Sequence, residues 1–198
     1  MIRDFQVADF FTLANGFAGT GAILAAMKYA VSNEAWALKL TFSLLPIAFV
    51  CDVLDGRVAR IRREVSMLGQ ELDSLADLVS FGVAPATLAF ALGMRGGWDA
   101  VVLVYFVGCG ISRLARYNVT AANLADSSGK VKYFEGTPIP TSLLLVAVLA
   151  ALFFEGRTGD ALPSGVITLG PLSAHPLVLM YFLSGSAMIS KTLRIPKP

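Results

Sequence analysis

Charge is scarce in this sequence. Lysine, arginine, aspartate and glutamate make up 15% of its 198 residues, against about 25% in a soluble domain, which argues against an ordinary water-soluble globule. The net charge of +2 is too small for a nucleic-acid footprint, so no nucleic-acid partner is expected. Only two cysteines are present, Cys51 and Cys109. Both lie in apolar stretches, far apart, and read as buried small residues with no disulfide. The single histidine, His175, precedes Pro176 and reads as a solvated loop residue rather than a ligand. Residues Met1–Phe11 lack a small-residue cleavage site after a basic start, so no cleavable signal peptide is expected. There is no internal repeat and no low-complexity tract, and one domain over residues 1–198 is enough.

Apolar length is what the chain has in plenty: 56% of residues are hydrophobic and the mean hydropathy is +0.68. A membrane helix needs roughly 20 mostly apolar residues. Six stretches are candidates: Leu13–Val31, Trp36–Arg57, Leu72–Leu92, Trp98–Tyr117, Pro140–Phe154 and Leu172–Ile189. The expected fold is therefore an all-α polytopic membrane protein with six transmembrane helices. Met1–Phe11 reads as a short amphipathic surface helix or a polar tail, and the glycine-rich Glu155–Pro171 as a loop that partly re-enters the membrane. Trp36, Trp98 and Tyr181 suit interfacial anchoring or lipid-facing packing. With both termini placed in the cytoplasm, twelve lysines and arginines fall on that side and only Lys28, Lys39, Arg95 and Arg157 on the other, the asymmetry expected of cytoplasmic loops.

Against this apolar background, four aspartates stand out: Asp52 and Asp55 near the end of the second stretch, Asp73 and Asp77 at the start of the third. Carboxylates at a membrane boundary are costly. Residues three or four apart share a helix face, so each pair can point one way. A short connection makes the two helices antiparallel neighbours, and the pairs can meet at one depth. At 4 Å and an effective dielectric of 20, each pair of charges would repel by roughly 4 kcal/mol. One or two divalent cations would remove that penalty, and all-oxygen ligands favour Mg²⁺ or Mn²⁺, with Ca²⁺ as a non-productive occupant. Gly56 and Ala59 leave room for a bulky ligand, Gly69 allows close helix approach, and Arg60 can meet a phosphate. The alternative is a set of helix-end charges paired with Arg57, Arg60, Arg62 and Arg63.

The spacing Asp52-x-x-Asp55-Gly56-x-x-Ala59-Arg60, eight residues, Gly69, three residues, Asp73, three residues, Asp77 resembles the signature of the CDP-alcohol phosphotransferases, integral membrane enzymes of phospholipid synthesis. The resemblance implies transfer of a phosphatidyl or related group from a CDP-linked donor to an alcohol, with release of CMP. It implies that Asp52, Asp55, Asp73 and Asp77 hold two divalent ions, with Asp77 also taking the proton of the attacking hydroxyl. It assigns Gly56, Ala59, Arg60 and Gly69 to the cytidine diphosphate site. Thr12 and Asn15 are similar to the family's Thr-x-x-Asn near the nucleotide phosphates, although Asn15 could equally serve helix packing. A homodimer in a prokaryotic inner or plasma membrane, with the site facing the cytoplasm, is the further implication.

Two stretches bear on the acceptor. Ser112-Arg113-Leu-Ala-Arg116-Tyr-Asn118 and Tyr133-Phe-Glu135-Gly-Thr-Pro138-Ile-Pro140 are similar to the phosphatidylserine synthases of bacteria and archaea, which implies CDP-diacylglycerol and L-serine as substrates among the membrane lipids. Arg113 or Arg116 could fork onto the serine carboxylate, Glu135 could meet its ammonium, and Lys132 could hold a phosphate. As alternatives, these cations are ordinary cytoplasmic loop charges, and Pro138 and Pro140 merely start the fifth helix. Glycerol phosphate, inositol phosphate and choline remain open as acceptors, as does an archaeal ether-lipid donor. From another class, a cation transporter would want polar residues through the membrane depth, and here the carboxylates cluster at one end.

Overall fold

Small residues set the spacing of the first two helices. Along α1 (Val7–Ser32) the buried positions include Ala8, Thr12, Asn15, Ala18, Gly19, Ala22, Ala25, Ala26 and Tyr29. Ala8, Thr12, Asn15, Gly19, Ala22, Ala26 and Tyr29 recur at alternating intervals of four and three, one stripe of a helix, with Ala18 and Ala25 beside it. Small side chains let backbones approach closely in lipid, where packing rather than water drives association. α2 (Ala35–Arg62) lies along that stripe through Ala37, Leu38, Thr41, Leu45, Ala48 and Asp55. Thr41 Oγ1 donates across the seam to the Ala22 carbonyl at 3.2 Å and back to Ala37 at 3.1 Å. The connection is only Asn33 and Glu34. Asn33 takes the left-handed conformation, φ 53°, and its N–H closes α1 on the Tyr29 carbonyl. The Lys28 ammonium, 2.9 Å away, and the Trp36 indole N–H hold the exposed Glu34 carboxyl below its ordinary range.

The computed structural model describes residues 5–62, 66–125, 133–190, 192 and 194–196; for 120–125, 133–135, 160, 169 and 194–196 only the backbone is described. After α2 the chain returns through α3 (Met67–Asp77), a π-helical stretch at Leu78–Val83 and α4 (Ala84–Leu92). These form one apolar run, Met67–Leu92. Then come α5 (Gly97–Ala125), β1 (Tyr133–Glu135), α6 (Leu143–Phe154), β2 (Ile167–Leu169), β3 (Leu172–Ala174), α7 (Leu179–Ile189) and β4 (Arg194–Pro196). Helix α1 is central, against α2 on one side and α3 and α4 on the other, while α5 packs on α7. The strands form two small antiparallel pairs, β2 with β3 and β1 with β4, the latter setting Phe134 opposite Ile195.

Among the described residues four helices are long and apolar enough to cross a membrane: Val7–Ser32, Ala35–Arg62, Met67–Leu92 and Gly97–Val119. They match the first four expected stretches with extended ends. The fifth and sixth differ. Ile139–Phe154 and Pro176–Ile189 are apolar but lie in the 10–17 residue class. At about 1.5 Å per residue neither reaches the roughly 30 Å hydrocarbon thickness as a straight helix. The sixth stretch loses its start because Leu172–Ala174 pairs as a strand, and Pro176 then opens a 3-10 turn instead of continuing it. The expected re-entrant loop contains a 3-10 turn at Gly159–Ala161 and strand β2. No separate surface helix precedes α1 among the described residues; Val7–Phe11 is its first turn.

Two side chains correct the sequence reading. Tyr181 is fully buried, not at an interface; its hydroxyl donates to the Pro85 carbonyl at 2.8 Å, and its ring meets Phe106 edge-on. His175 is not solvated. Its Nδ1 lies 2.6 Å from Asp99 Oδ2, and its backbone N–H donates to Asp99 Oδ1 at 2.8 Å. Asp99 Oδ2 also accepts the Gly96 N–H at 2.9 Å, and Asp99 is wholly inaccessible. This carboxylate therefore ties the start of α5 to the end of β3. Replacing Asp99 by alanine strands these buried donors, each costing about 1–3 kcal/mol. The expected result is a melting temperature lowered in detergent, with turnover per folded molecule unchanged: fourteen residues of α5 separate Asp99 from Arg113, about 21 Å along the axis.

Candidate active site

The four aspartates do converge. α2 supplies Asp52 and Asp55 from its last turns and α3 supplies Asp73 and Asp77. One carboxylate oxygen each from Asp52, Asp55 and Asp73 lies within 4.8 Å of the others. Asp77 stands beside this trio, close enough to feel the charges of Asp52 and Asp73. Asp55 and Asp77 are buried, Asp52 and Asp73 half-buried. Among the described residues no arginine forms an ion pair with any of the four, and Arg57, Arg60 and Arg62 are exposed. The reading of these charges as neutralised helix ends therefore fails for the described arginines; Arg63 lies outside the described residues.

Helix α1 orients the cluster. Thr12 Oγ1 donates to Asp55 Oδ2 at 2.7 Å, and Asn15 Nδ2 donates to Asp77 Oδ1 at 3.1 Å. Thr12 and Asn15, one turn apart, thus each hold an aspartate, one from each partner helix. Ser80, in the π-helical stretch just after Asp77, donates to the Asn15 carbonyl at 3.0 Å. That stretch is an irregularity of the kind found at functional sites, and it brings Ser80 against Gly19. A Cβ on Gly19 would fall 2.2 Å from Ser80 Oγ.

The donor set fits hard divalent cations. It is all oxygen, it carries several negative charges in a small volume, and Asp73 Oδ1 is buried without a hydrogen-bond partner among the described residues. Such an array suits Mg²⁺, Mn²⁺ or Ca²⁺.

Beside the cluster lies a cavity of about 300 Å³. Asp55, Asp73, Gly56 and Ala59 line one part of it, and Gly69 another. Arg60 is not in its wall: the side chain is exposed and its Nε folds back onto the Gly56 carbonyl at 2.9 Å. Gly69 faces Asp9, whose Oδ1 would sit 2.9 Å from a Cβ there. The helix approach expected at Gly69 is thus an approach to a carboxylate. Asp9 itself, 2% exposed and part of the cavity wall, escaped the sequence reading. Its signal was available, since Asp9, Thr12 and Asn15 recur every three residues.

The acceptor candidates separate. Arg113 is 8% exposed, its Nε has no hydrogen-bond partner among the described residues, and Asp77 is the carboxylate acting on it. Arg116 is occupied elsewhere: its guanidinium donates to the Met188 and Ile189 carbonyls at 3.4 and 3.3 Å, closing the end of α7. Lys132 lies outside the described residues, and of Glu135 only the backbone, in β1, is described. The following Gly136–Ser142 segment packs close by. Gly136, φ 78°, leaves no room for a Cβ against the Met188 carbonyl, and Ile139 fills the space over Gly82 and Gly110. Asn118, the last residue of the Ser112–Asn118 run, joins α5 to α3: Ser74 Oγ and Gln70 Nε2 donate to its Oδ1 at 3.2 and 3.4 Å, and its Nδ2 donates to Glu71 at 3.4 Å.

Comparison with known proteins agrees with this geometry. The family model described as CDP-alcohol phosphatidyltransferase matches residues 5–185. A CDP-diacylglycerol–serine O-phosphatidyltransferase of Saccharomyces cerevisiae is 45% identical over 201 residues, covering 100% of this chain and 73% of the yeast protein. A protein of the same description from Helicobacter pylori is 36% identical over 83% of this chain and 67% of its own length. Another from Methanocaldococcus jannaschii is 36% identical over 71% of this chain and 58% of its own.

Proposed function

Because the chain belongs to the CDP-alcohol phosphatidyltransferase family, we propose that it moves the phosphatidyl group of CDP-diacylglycerol onto L-serine, giving phosphatidylserine and CMP. The observation that carries the proposal is the meeting of Asp52, Asp55 and Asp73 beside a buried Asp77, with Arg113, whose Nε has no hydrogen-bond partner among the described residues, close enough to act on it. In this reading the serine hydroxyl oxygen bonds to the phosphorus that bears the diacylglycerol. The bond from that phosphorus to the CMP oxygen breaks, and CMP leaves. Asp77 accepts the hydroxyl proton. An alcohol is a poor nucleophile until a positioned base removes its proton, and Asp77 stands outside the tight carboxylate trio. Asp52, Asp55 and Asp73 would hold the divalent ions, which when bound offset the charge of the pyrophosphate and of departing CMP. Asn15 keeps the Asp77 carboxylate aimed and Thr12 keeps Asp55 aimed. Gly56, Ala59 and Gly69 leave the cavity open for the cytidine diphosphate portion.

Arg113 is assigned to the serine carboxylate. Arginine's planar fork suits a carboxylate bidentately, whereas lysine offers a single point charge. Substituting Arg113→Lys should therefore raise the KM for serine about tenfold or more, with a smaller change in kcat. A kcat loss at unchanged KM would count against this role.

The site is assigned to the cytoplasmic face of a prokaryotic membrane, with Ile139–Phe154 and Pro176–Ile189 completing six membrane segments and both termini on that face; the distribution of basic residues supports this. Cysteine-labelling on the two sides of sealed vesicles tests it. Pairing of two copies rests on the family resemblance alone, and light scattering of the detergent complex tests it. The central test incubates purified protein with CDP-diacylglycerol and labelled serine, glycerol phosphate, inositol phosphate or choline, with and without Mn²⁺. Labelled phosphatidylserine and equimolar CMP, both dependent on the metal, are expected. Product from another alcohol and none from serine would overturn the acceptor assignment.

A further inference from the structure

One buried carboxylate beside the cluster has no part in the scheme above. Asp9, in the first turn of α1, is 2% exposed. Its Oδ2 accepts the Gln6 N–H at 2.8 Å, which accounts for one oxygen as a helix cap. Its Oδ1 stands over Gly69, 2.9 Å from where a Cβ there would lie, in the wall of the 300 Å³ cavity. The same wall carries Ser66. Ser66 Oγ accepts the Gly69 N–H at 2.9 Å, which leaves its own hydroxyl proton to donate. The cavity thus presents an acceptor-only group next to a donor, away from Asp77 and Arg113, which do not line it.

We infer that Asp9 reads the base of the nucleotide donor, accepting a hydrogen bond from the exocyclic amine of cytosine while Ser66 donates to the adjacent ring nitrogen. This rests on the proposal that the cavity takes the cytidine diphosphate portion. Cytosine offers an amine donor beside a ring acceptor; uracil offers a carbonyl beside a ring N–H. An ionised carboxylate can only accept, so it pairs with the cytosine amine and faces the uracil carbonyl unfavourably. Pairing of Asp or Glu with the cytosine amine is an established mode of base discrimination. Gly69 acquires a second reason to lack a side chain, because a Cβ would displace Asp9 Oδ1. Asp9 and Asp55 line the same cavity, so the base-reading group and a carboxylate proposed to hold an ion share one wall.

The test titrates the full chain in detergent, with Mn²⁺ present, by calorimetry with CMP, UMP and N4,N4-dimethyl-CMP. The unaltered protein should prefer CMP over UMP about tenfold or more, and should bind the dimethylated nucleotide about as weakly as UMP. Asp9→Asn, whose amide can either donate or accept, should collapse the CMP-to-UMP preference to about twofold or less, with the KM for serine unchanged. The dimethylated probe needs no variant, so it decides the matter even where the substitution unfolds the protein. Equal binding of CMP and its dimethylated form overturns the inference, as does a wild-type CMP-to-UMP ratio in Asp9→Asn or an effect confined to serine. In those cases the nucleotide site itself stands. Absence of metal-dependent binding of any nucleotide overturns that site and the inference with it.

Discussion

Asp77→Asn should lower CMP release by about a thousandfold or more, the scale set by loss of a positioned general base, while leaving the protein folded. The substitution keeps the shape of the side chain, and the amide oxygen can still accept from Asn15 Nδ2, now 3.1 Å from Asp77 Oδ1. It also removes one of four mutually repelling charges, so the metal-free protein should melt no lower than its parent. The comparison that isolates the role is with Asp52→Asn. Asp52 belongs to the trio with oxygens within 4.8 Å of one another and Asp77 does not. Mn²⁺ affinity, read by electron paramagnetic resonance, should therefore fall more for Asp52→Asn than for Asp77→Asn. Near-parental turnover in purified Asp77→Asn would remove it as the base.

The second large effect is expected at a residue that touches no substrate. A Cβ on Gly19 would meet Ser80 Oγ at 2.2 Å and Ser80 Cα at 2.7 Å. The second of these is backbone and cannot rotate away. Gly19→Val must push α1 off the π-helical stretch, breaking the Ser80–Asn15 bond and withdrawing Asn15 from Asp77. Overpacking of a tight core costs about 1–3 kcal/mol and sometimes more, and here it falls on the helix that aims two aspartates. Loss of most folded protein on size exclusion, and of activity in the remainder, is expected. Ser80→Gly in the same chain should restore only part of each, because the clash with Cα persists. A Gly19→Val protein that melts and turns over like its parent would show that the seam is looser than described.

The four aspartates were legible because their helix spacing and their cost in an apolar chain pointed to one place. The first four long helices were legible from apolar length alone. Two kinds of feature were not. The first is a short apolar strand: Leu172–Ala174 is as hydrophobic as a helix start, and only its pairing with Ile167–Leu169 distinguishes it. The second is a polar side chain whose meaning lies in a distant partner. Seventy-six positions separate His175 from Asp99, and 72 and 73 separate Arg116 from the carbonyls it closes. Nothing local distinguishes such residues from solvated loop charges. Asp9 lies between these cases, since its spacing from Thr12 was visible and its burial was not.

The two-residue link between α1 and α2 has a consequence for how the enzyme comes into being. Thr12 and Asp55 are joined within the hairpin that ends at Arg62, and chains are generally built and folded from the amino end first. Half of the carboxylate cluster can therefore take shape while the ribosome is still making the other half. The nascent hairpin would wait in the bilayer with Asp52 and Asp55 unmatched until Asp73 and Asp77 are translated and inserted beside them.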